Sequence, residues 1–309
     1  MRFFATIAFI AAGLTASAAP AWAAMKMKVA YTPNGVTAPL YVAKDKGIFE
    51  AHGLDVELVP VPVNSTLPAA IMSGSVQSGT FTPTVFIQAV QAGLDLQAIA
   101  GMTVTSREAM QVGIVARTGS GVESVEDLAG KRVGVPGISA VLDIMARRIM
   151  LMHGVDINSL SYTETPFPVQ MDILNAGTID AVVTVDPFYS RIQDAGVGTP
   201  IGDLLEGIPD GQTAQFFGVS TTWADENPEA VEAFRAAIRD GAQFVRDNPD
   251  ETRAVIGAYL KLPPAILSDI VLPVVDAEIT PEQIAWWIDV MDEQGLIEGK
   301  LDVDAMVRD

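Results

Sequence analysis

The sequence predicts an α/β protein built as two similar lobes with a ligand cleft between them. Three observations carry that prediction: a leader-like first stretch, a strand, turn and helix unit written twice, and two places where the chain must pass between the repeats.

The leader, "MRFFATIAFIAAGLTASAAPAWA", has Arg2, an apolar run over residues 3–14 and the small-residue ending Ala21-Trp22-Ala23. This is the pattern of a cleavable secretory signal peptide over 1–23, its apolar run well short of the ~20 residues that span a bilayer. The chain has no cysteine, so a lipid anchor, a disulfide scaffold, thiolate catalysis and cysteine metal sites are all excluded. The expected location is the periplasm, in soluble form. Loss of Arg2 with the leader takes the formal charge from −19 to −20, with 38 acidic side chains. Such a surface lacks the basic footprint that nucleic acid requires.

The repeat is read from two distant stretches. "KVAYTPNGVTAPLYVAKDKGIFEAHGLDVELVPV" and "KRVGVPGISAVLDIMARRIMLMHGVDINSLSY" each give a strand, a Pro/Gly turn, a helix, His-Gly, and an apolar-Asp-apolar restart. Gly53 and Gly154 fall where a left-handed helix C-cap belongs, and His52 and His153 fall in the last helical turn, near the negative end of the dipole. The two histidines are therefore expected to be cap residues. Downstream, "AAIMSGSVQSGTFTPT" matches "MDILNAGTIDAVVTVDP" with Gly74 laid on Gly177, each a helix end followed by a strand. The alternation implies βαβ units and parallel sheets.

Beyond the second unit, "TAQFFGVSTTW" is strand-like and the chain then turns helical. Asn227-Pro228 opens a helix with Val231, Phe234, Ile238, Gly241 and Val245 on one face, and Asn248-Pro249 opens another. Thr280-Pro281-Glu282-Gln283 is a capping box before Ile284, Trp287, Ile288 and Met291, so Trp286 and Trp287 are expected to pack rather than stack on a cofactor. Crossings near 110–117 and 215–220 form a two-crossing hinge. They divide the chain into lobe 1, residues 24–112 plus 217–309, and lobe 2, residues 113–216.

Ligands of open α/β sheets bind beyond the carboxyl ends of the strands. That selects loops 31–35 and 82–84 in lobe 1, and 136–139 and 186–188 in lobe 2. They carry Thr32, Pro33, Asn34, Thr82, Pro83, Thr84, Gly137, Ile138, Ser139, Asp186 and Phe188, a surface suited to binding more than to reaction. No G-x-S-x-G, H-E-x-x-H or P-loop occurs, and the glycines Gly130, Gly134 and Gly137 do not form G-x-G-x-x-G. No metal or cofactor is expected. A helix opening at Ser139 offers free N–H groups to an anion, or Ser139 caps its own helix. Arg107 either binds a ligand carboxylate or sulfonate or pairs with Glu108 or Glu126. Asp186 either holds a ligand ammonium or caps the helix that follows Pro187. If the acidic and anion sites are both real, a zwitterion such as taurine fits.

The passages "APLYVAKDKGIFEAHGLDVE", "AAIMSGSVQSG", "VQAGLDLQAIAG", "VEDLAGKRVGVPGISA", "AVVTVDPF" and "NPEAVEAFRAAIRDGAQF" resemble, in order, the periplasmic substrate-binding proteins of ABC importers for nitrate, sulfonates, taurine and thiamine pyrimidine precursors. The resemblance implies a type II periplasmic-binding-protein fold that closes on a small solute and presents it to a permease and its ATPase. It implies ligand contacts at 32–34, 82–84, 137–139 and 186–188, and a monomer that meets the membrane only through the permease. This chain departs from the family pattern at Gln77 and at Gly137-Ile138. Ile138 sets an apolar side chain at the mouth of the anion site, which turns the expectation from nitrate to an organosulfonate, an aromatic carboxylate or a pyrimidine. The alternatives of another class are an enzyme resembling pyrimidine-precursor synthases and a periplasmic sensor subunit.

Overall fold

A computed structural model describes residues 24–109 and 111–308; the expected signal, residues 1–23, and Met110 of the first expected crossing lie outside them. The strands sort into two sheets. The first contains β1 (Met25–Tyr31), β2 (Leu54–Pro60), β3 (Ser78–Phe81) and β4 (Leu96–Val104). The second contains β5 (Val112–Arg117), β6 (Arg132–Val135), β7 (Ser161–Glu164), β8 (Ala181–Val185) and β9 (Gly198–Asp203). The chain then returns to the first sheet with β10 (Thr213–Ser220) and the short β11 (Val274–Val275).

The sheet orders are β11-β4-β10-β3-β1-β2 and β7-β6-β8-β5-β9. Within each, the repeated unit is parallel: β1 with β2 and β3, and β6 with β7 and β8. The strands that arrive from the other lobe, β10 and β5, take equivalent places and run antiparallel to both neighbours. The sheets are therefore mixed rather than parallel as the alternation implied. A crossing strand enters its sheet from the end at which the repeated strands finish, so it runs against them. The crossings lie between Val104 and Val112 and between Asp203 and Thr213, a few residues before the expected segments.

Helices cover the sheets: α1 (Ala38–Asp45), α2 (Ile48–Ala51), α3 (Leu67–Met72) and α4 (Pro83–Gln91) in the first unit, then α5 (Val141–Met152), α6 (Gln170–Asn175) and α7 (Phe188–Asp194) in the second. Those that follow β10 are α8 (Thr221–Glu226), α9 (Pro228–Asp247), α10 (Pro249–Leu260) and α11 (Pro281–Asp292). Each of the last three has proline in its first turn, where the missing N–H costs no intrahelical bond. Thr280 and Gln283 form the full capping box. On α9 the apolar stripe Val231, Phe234, Ile238 and Val245 is buried, and Gly241 lets α1 come close, since a Cβ there would lie 2.8 Å from the Pro39 carbonyl oxygen.

His52 and His153 are the C-cap residues of α2 and α5, with Gly53 and Gly154 left-handed behind them. Each ring meets an acid, His52 on Asp240 at 2.7 Å and His153 on Glu126 at 2.9 Å. Trp287 is fully buried and donates its indole N–H to the Thr213 carbonyl at 2.7 Å, which seats α11 on the returning strand. One apolar core runs without a break from Phe81, Phe86 and Phe216 in the first lobe to Val141, Met145 and Phe167 in the second, so the lobes pack directly against each other.

Candidate ligand-binding cleft

Between the lobes lies a cavity of about 600 Å³, counted out to its mouth. The carboxyl ends of the strands supply much of its wall: Thr32 and Asn34 follow β1, Thr82 follows β3, Thr105 follows β4, Pro136 follows β6, and Val185 ends β8. The two sides differ chemically. Lobe 1 and the crossings contribute the uncharged polar groups of Thr32, Asn34, Asn64, Thr82, Thr105 and Gln215. Lobe 2 contributes Pro136, Ala140, Val141, Leu142, Met145, Phe167 and Val185. No charged side chain lines the cavity among the described residues.

The polar wall is partly self-satisfied. The Asn64 amide donates to the Thr80 carbonyl at 2.7 Å, and its oxygen accepts from the Thr82 N–H and hydroxyl, both at 3.1 Å. The Asn34 oxygen accepts from the Thr37 hydroxyl at 2.9 Å. Thr105 ties the crossings together, its hydroxyl donating to the Pro209 carbonyl at 2.7 Å and accepting from the Gln212 N–H at 3.0 Å. The Thr32 hydroxyl and the Gln215 carboxamide oxygen are different: both are buried and neither has a hydrogen-bond partner among the described residues. A buried polar atom without a partner costs about 1–3 kcal/mol, which a bound solute can return.

The second-lobe turn departs from expectation. Ser139 is left-handed, with φ of 62°, and α5 starts at Val141 with Ala140 at its N-cap, so Ser139 neither opens nor caps the helix. The tight 136–139 turn requires the left-handed residue, and Asp143 replaces the cap by accepting the Ser139 N–H at 2.8 Å. Asp143 is fully buried and pairs with Arg147 at 2.8 Å, whose guanidinium lies 3.9 Å from the Tyr162 ring centre. Burial raises the Asp143 pKa, opposed by Arg147 and the Ser139 N–H. A carboxyl group thus already sits where the helix terminus was expected to attract a ligand anion.

The other expected residues divide. Thr32, Asn34 and Thr82 line the cavity. Pro33 is half-buried beside them, and Pro83 and Thr84 are buried in the first turn of α4. Gly137 faces the opposite lobe: a Cβ there would lie 3.8 Å from the Asn64 nitrogen. Ile138 is 42% exposed, and its N–H donates to Glu164 at 2.9 Å. The Arg107 guanidinium donates to the Leu205 carbonyl at 2.7 Å, and its backbone N–H to Asp210 at 2.9 Å, bracing the crossings rather than pairing with Glu108 or Glu126. Asp186 accepts from the Ser190 N–H at 3.1 Å and hydroxyl at 2.8 Å, holding the first turn of α7, and burial raises its pKa. Phe188 stacks on Phe167 at 5.5 Å and backs it against the cavity.

Sequence reasoning missed Asn64, Thr105, Gln215 and the apolar wall of α5. A signal existed for Gln215, a lone amide inside the apolar run "TAQFFGV".

Two α/β lobes exchange a strand at each crossing and enclose an uncharged cavity between them, the architecture of two-lobed periplasmic-binding-protein folds. Residues 34–252 match the family described as NMT1/THI5 like, and the chain belongs to that family. The riboflavin-binding protein RibY of Chloroflexus aurantiacus is 26% identical over 298 residues, spanning 92% of this chain and 80% of that protein. The formylaminopyrimidine-binding protein of Halalkalibacterium halodurans is 26% identical over 247 residues, spanning 78% of this chain and 72% of its own length. Among solved structures, the alkanesulfonate-binding protein SsuA from Xanthomonas axonopodis pv. citri bound to MOPS superposes with a TM-score of 0.79 at 20% identity, over 92% of this chain and 98% of that one. At that identity the likeness is one of fold, and the fold is the expected two-lobed periplasmic-binding-protein fold.

Proposed function

We propose that this protein is the periplasmic solute-binding component of an ABC importer and captures a small neutral organic solute by closing its lobes. The observation that carries the solute class is the lining: uncharged polar groups on one side, apolar groups on the other, and no cation among the described residues. An ionised sulfonate placed there loses its hydration with no positive charge in return, a cost of several kcal/mol. The organosulfonate and aromatic-carboxylate expectations therefore yield to a neutral solute, as the pyrimidine alternative had it. Two of the relatives point the same way, since riboflavin and formylaminopyrimidine are nitrogen heterocycles.

Binding rather than catalysis is supported by the histidines, which sit at helix ends on acidic partners and do not line the cavity. The permease and its ATPase are the partners this reading requires. A thermal-shift screen of neutral heterocycles against sulfonates, nitrate and aromatic carboxylates tests it. A solute at 100 times its dissociation constant adds about 2.7 kcal/mol to stability, and scattering on the same sample should report its effect on the lobes. A response to sulfonates alone would refute the neutral-solute reading.

A further inference from the structure

Gln215 sits on β10, the strand that carries the chain back into the first lobe. The pairing of β10 with β4 loses register on both sides of it, between Thr213 and Gln215 and again between Gln215 and Phe216. Irregularities of this kind re-aim a side chain out of the regular alternation. The side chain so aimed lines the cavity at 5% exposure, and no protein hydrogen bond reaches its carboxamide among the described residues. Thr32, 3% exposed on the same cavity, likewise leaves its hydroxyl without a partner. Asn64 and Asn34, the other amides of the lining, have their oxygens engaged by the protein. Gln215 is thus the lining amide whose oxygen is left without a partner among the described residues.

A primary carboxamide presents a C=O acceptor and an N–H donor along one edge. Its two-point complement is an edge with an adjacent N–H and C=O. We infer that Gln215 is the specificity-determining residue of this cavity and reads a cis-amide edge, a lactam or imide, on the neutral solute, with the apolar wall of α5 taking the solute's body. The inference rests on the solute-site reading above and adds the functional group that the site selects.

The test measures dissociation constants by calorimetry for uracil and riboflavin, which carry such an edge, and for 1,3-dimethyluracil and N3-methylriboflavin, in which methylation blocks it. At least one unmethylated probe should bind, and its methylated counterpart about 10- to 100-fold more weakly. Gln215→Leu should lose a similar factor for the unmethylated probe and bind both members of the pair alike. Because the carboxamide makes no bond to the protein among the described residues, Gln215→Leu should leave the melting temperature of the ligand-free protein unchanged or raise it. A marked fall in that temperature would make Gln215 a structural residue and overturn the inference. Equal binding of methylated and unmethylated probes, or an unchanged affinity in Gln215→Leu, would overturn it too. If neutral solutes lacking the edge bind while these probes do not, the inference fails and the neutral-solute reading survives. If only sulfonates or carboxylates bind, both fail.

Discussion

Removing the Glu164 carboxylate should loosen the closed state by a calculable amount. One oxygen of Glu164 accepts from the Ile138 N–H in its own lobe and from the Ser65 hydroxyl in the other, both at 2.9 Å. It thereby holds the 136–139 turn against the loop after β2, where Gly137 comes close to Asn64. Only the Ser65 bond crosses between lobes. A hydrogen bond to a charged acceptor is worth about 1.5–3 kcal/mol when sheltered. Glu164 is exposed, so solvent screening brings this one to about 1 kcal/mol, roughly a fivefold shift from closed towards open. Glu164→Ala should therefore raise the solute off-rate about fivefold in stopped flow and weaken apparent affinity by the same factor. Ser65→Ala should do the same, and the double variant should be no worse than either single, because both remove one contact. Additive losses, or an off-rate within error of the parent, would refute the idea that this contact latches the lobes.

Asn64→Ala should cost about 2–3 kcal/mol in urea unfolding, since it deletes three hydrogen bonds and strands the Thr80 carbonyl and the Thr82 N–H; a loss under about 0.5 kcal/mol would contradict that bonding. Solute affinity should change less than about twofold between low and high salt, because no charge lines the cavity among the described residues; a steep salt dependence measured by calorimetry would point to a charged ligand. The Glu126–His153 pair gives a pH signature. The His153 hydrogen bond holds the Glu126 carboxyl down at about 2, and Glu126 raises the His153 pKa above 6.5 against the effect of burial. The carboxyl's contribution is present above its ordinary 4.5 and is lost as pH falls towards about 2. The imidazole's contribution is complete below 6.5 and is lost as pH rises through its raised value. The stability difference between the parent and His153→Gln should therefore be largest between those limits and shrink on both sides; a difference flat with pH in thermal melts would refute the pairing.

The fold was legible because its signals are local. Gly53 and Gly154 mark left-handed helix ends that few other residues tolerate, and Thr280 with Gln283 writes its capping box into four positions. The antiparallel entry of β5 and β10 was not legible, because strand direction depends on which lobe a segment joins, and no residue within "VGIVAR" or "TAQFFGVS" encodes it. Ser139 misled for a related reason. A serine before an apolar helix is the ordinary N-cap signal, and what displaces it is Asp143 reaching back from the next turn to take the N–H.

The cavity was half legible, and the dividing line is physical. Thr32, Asn34 and Thr82 are polar residues at strand ends, which a buried core would not accept without a purpose, so they stand out in the sequence. Val141, Leu142 and Met145 do not, because an apolar residue facing a ligand and one facing the core satisfy the same rule of burial. They share a helix with Ile144, Ile149 and Met150, which are pure core, and only the closing of the second lobe on the first separates the two roles. Gln215 stands out from the other direction. A lone carboxamide beside the alanine, phenylalanines and valine of β10 is costly unless something pairs with it, and the described residues supply its oxygen no partner. If the inference about Gln215 holds, the solute's chemistry is written most clearly in the residue of β10 that is left unsatisfied among the described residues.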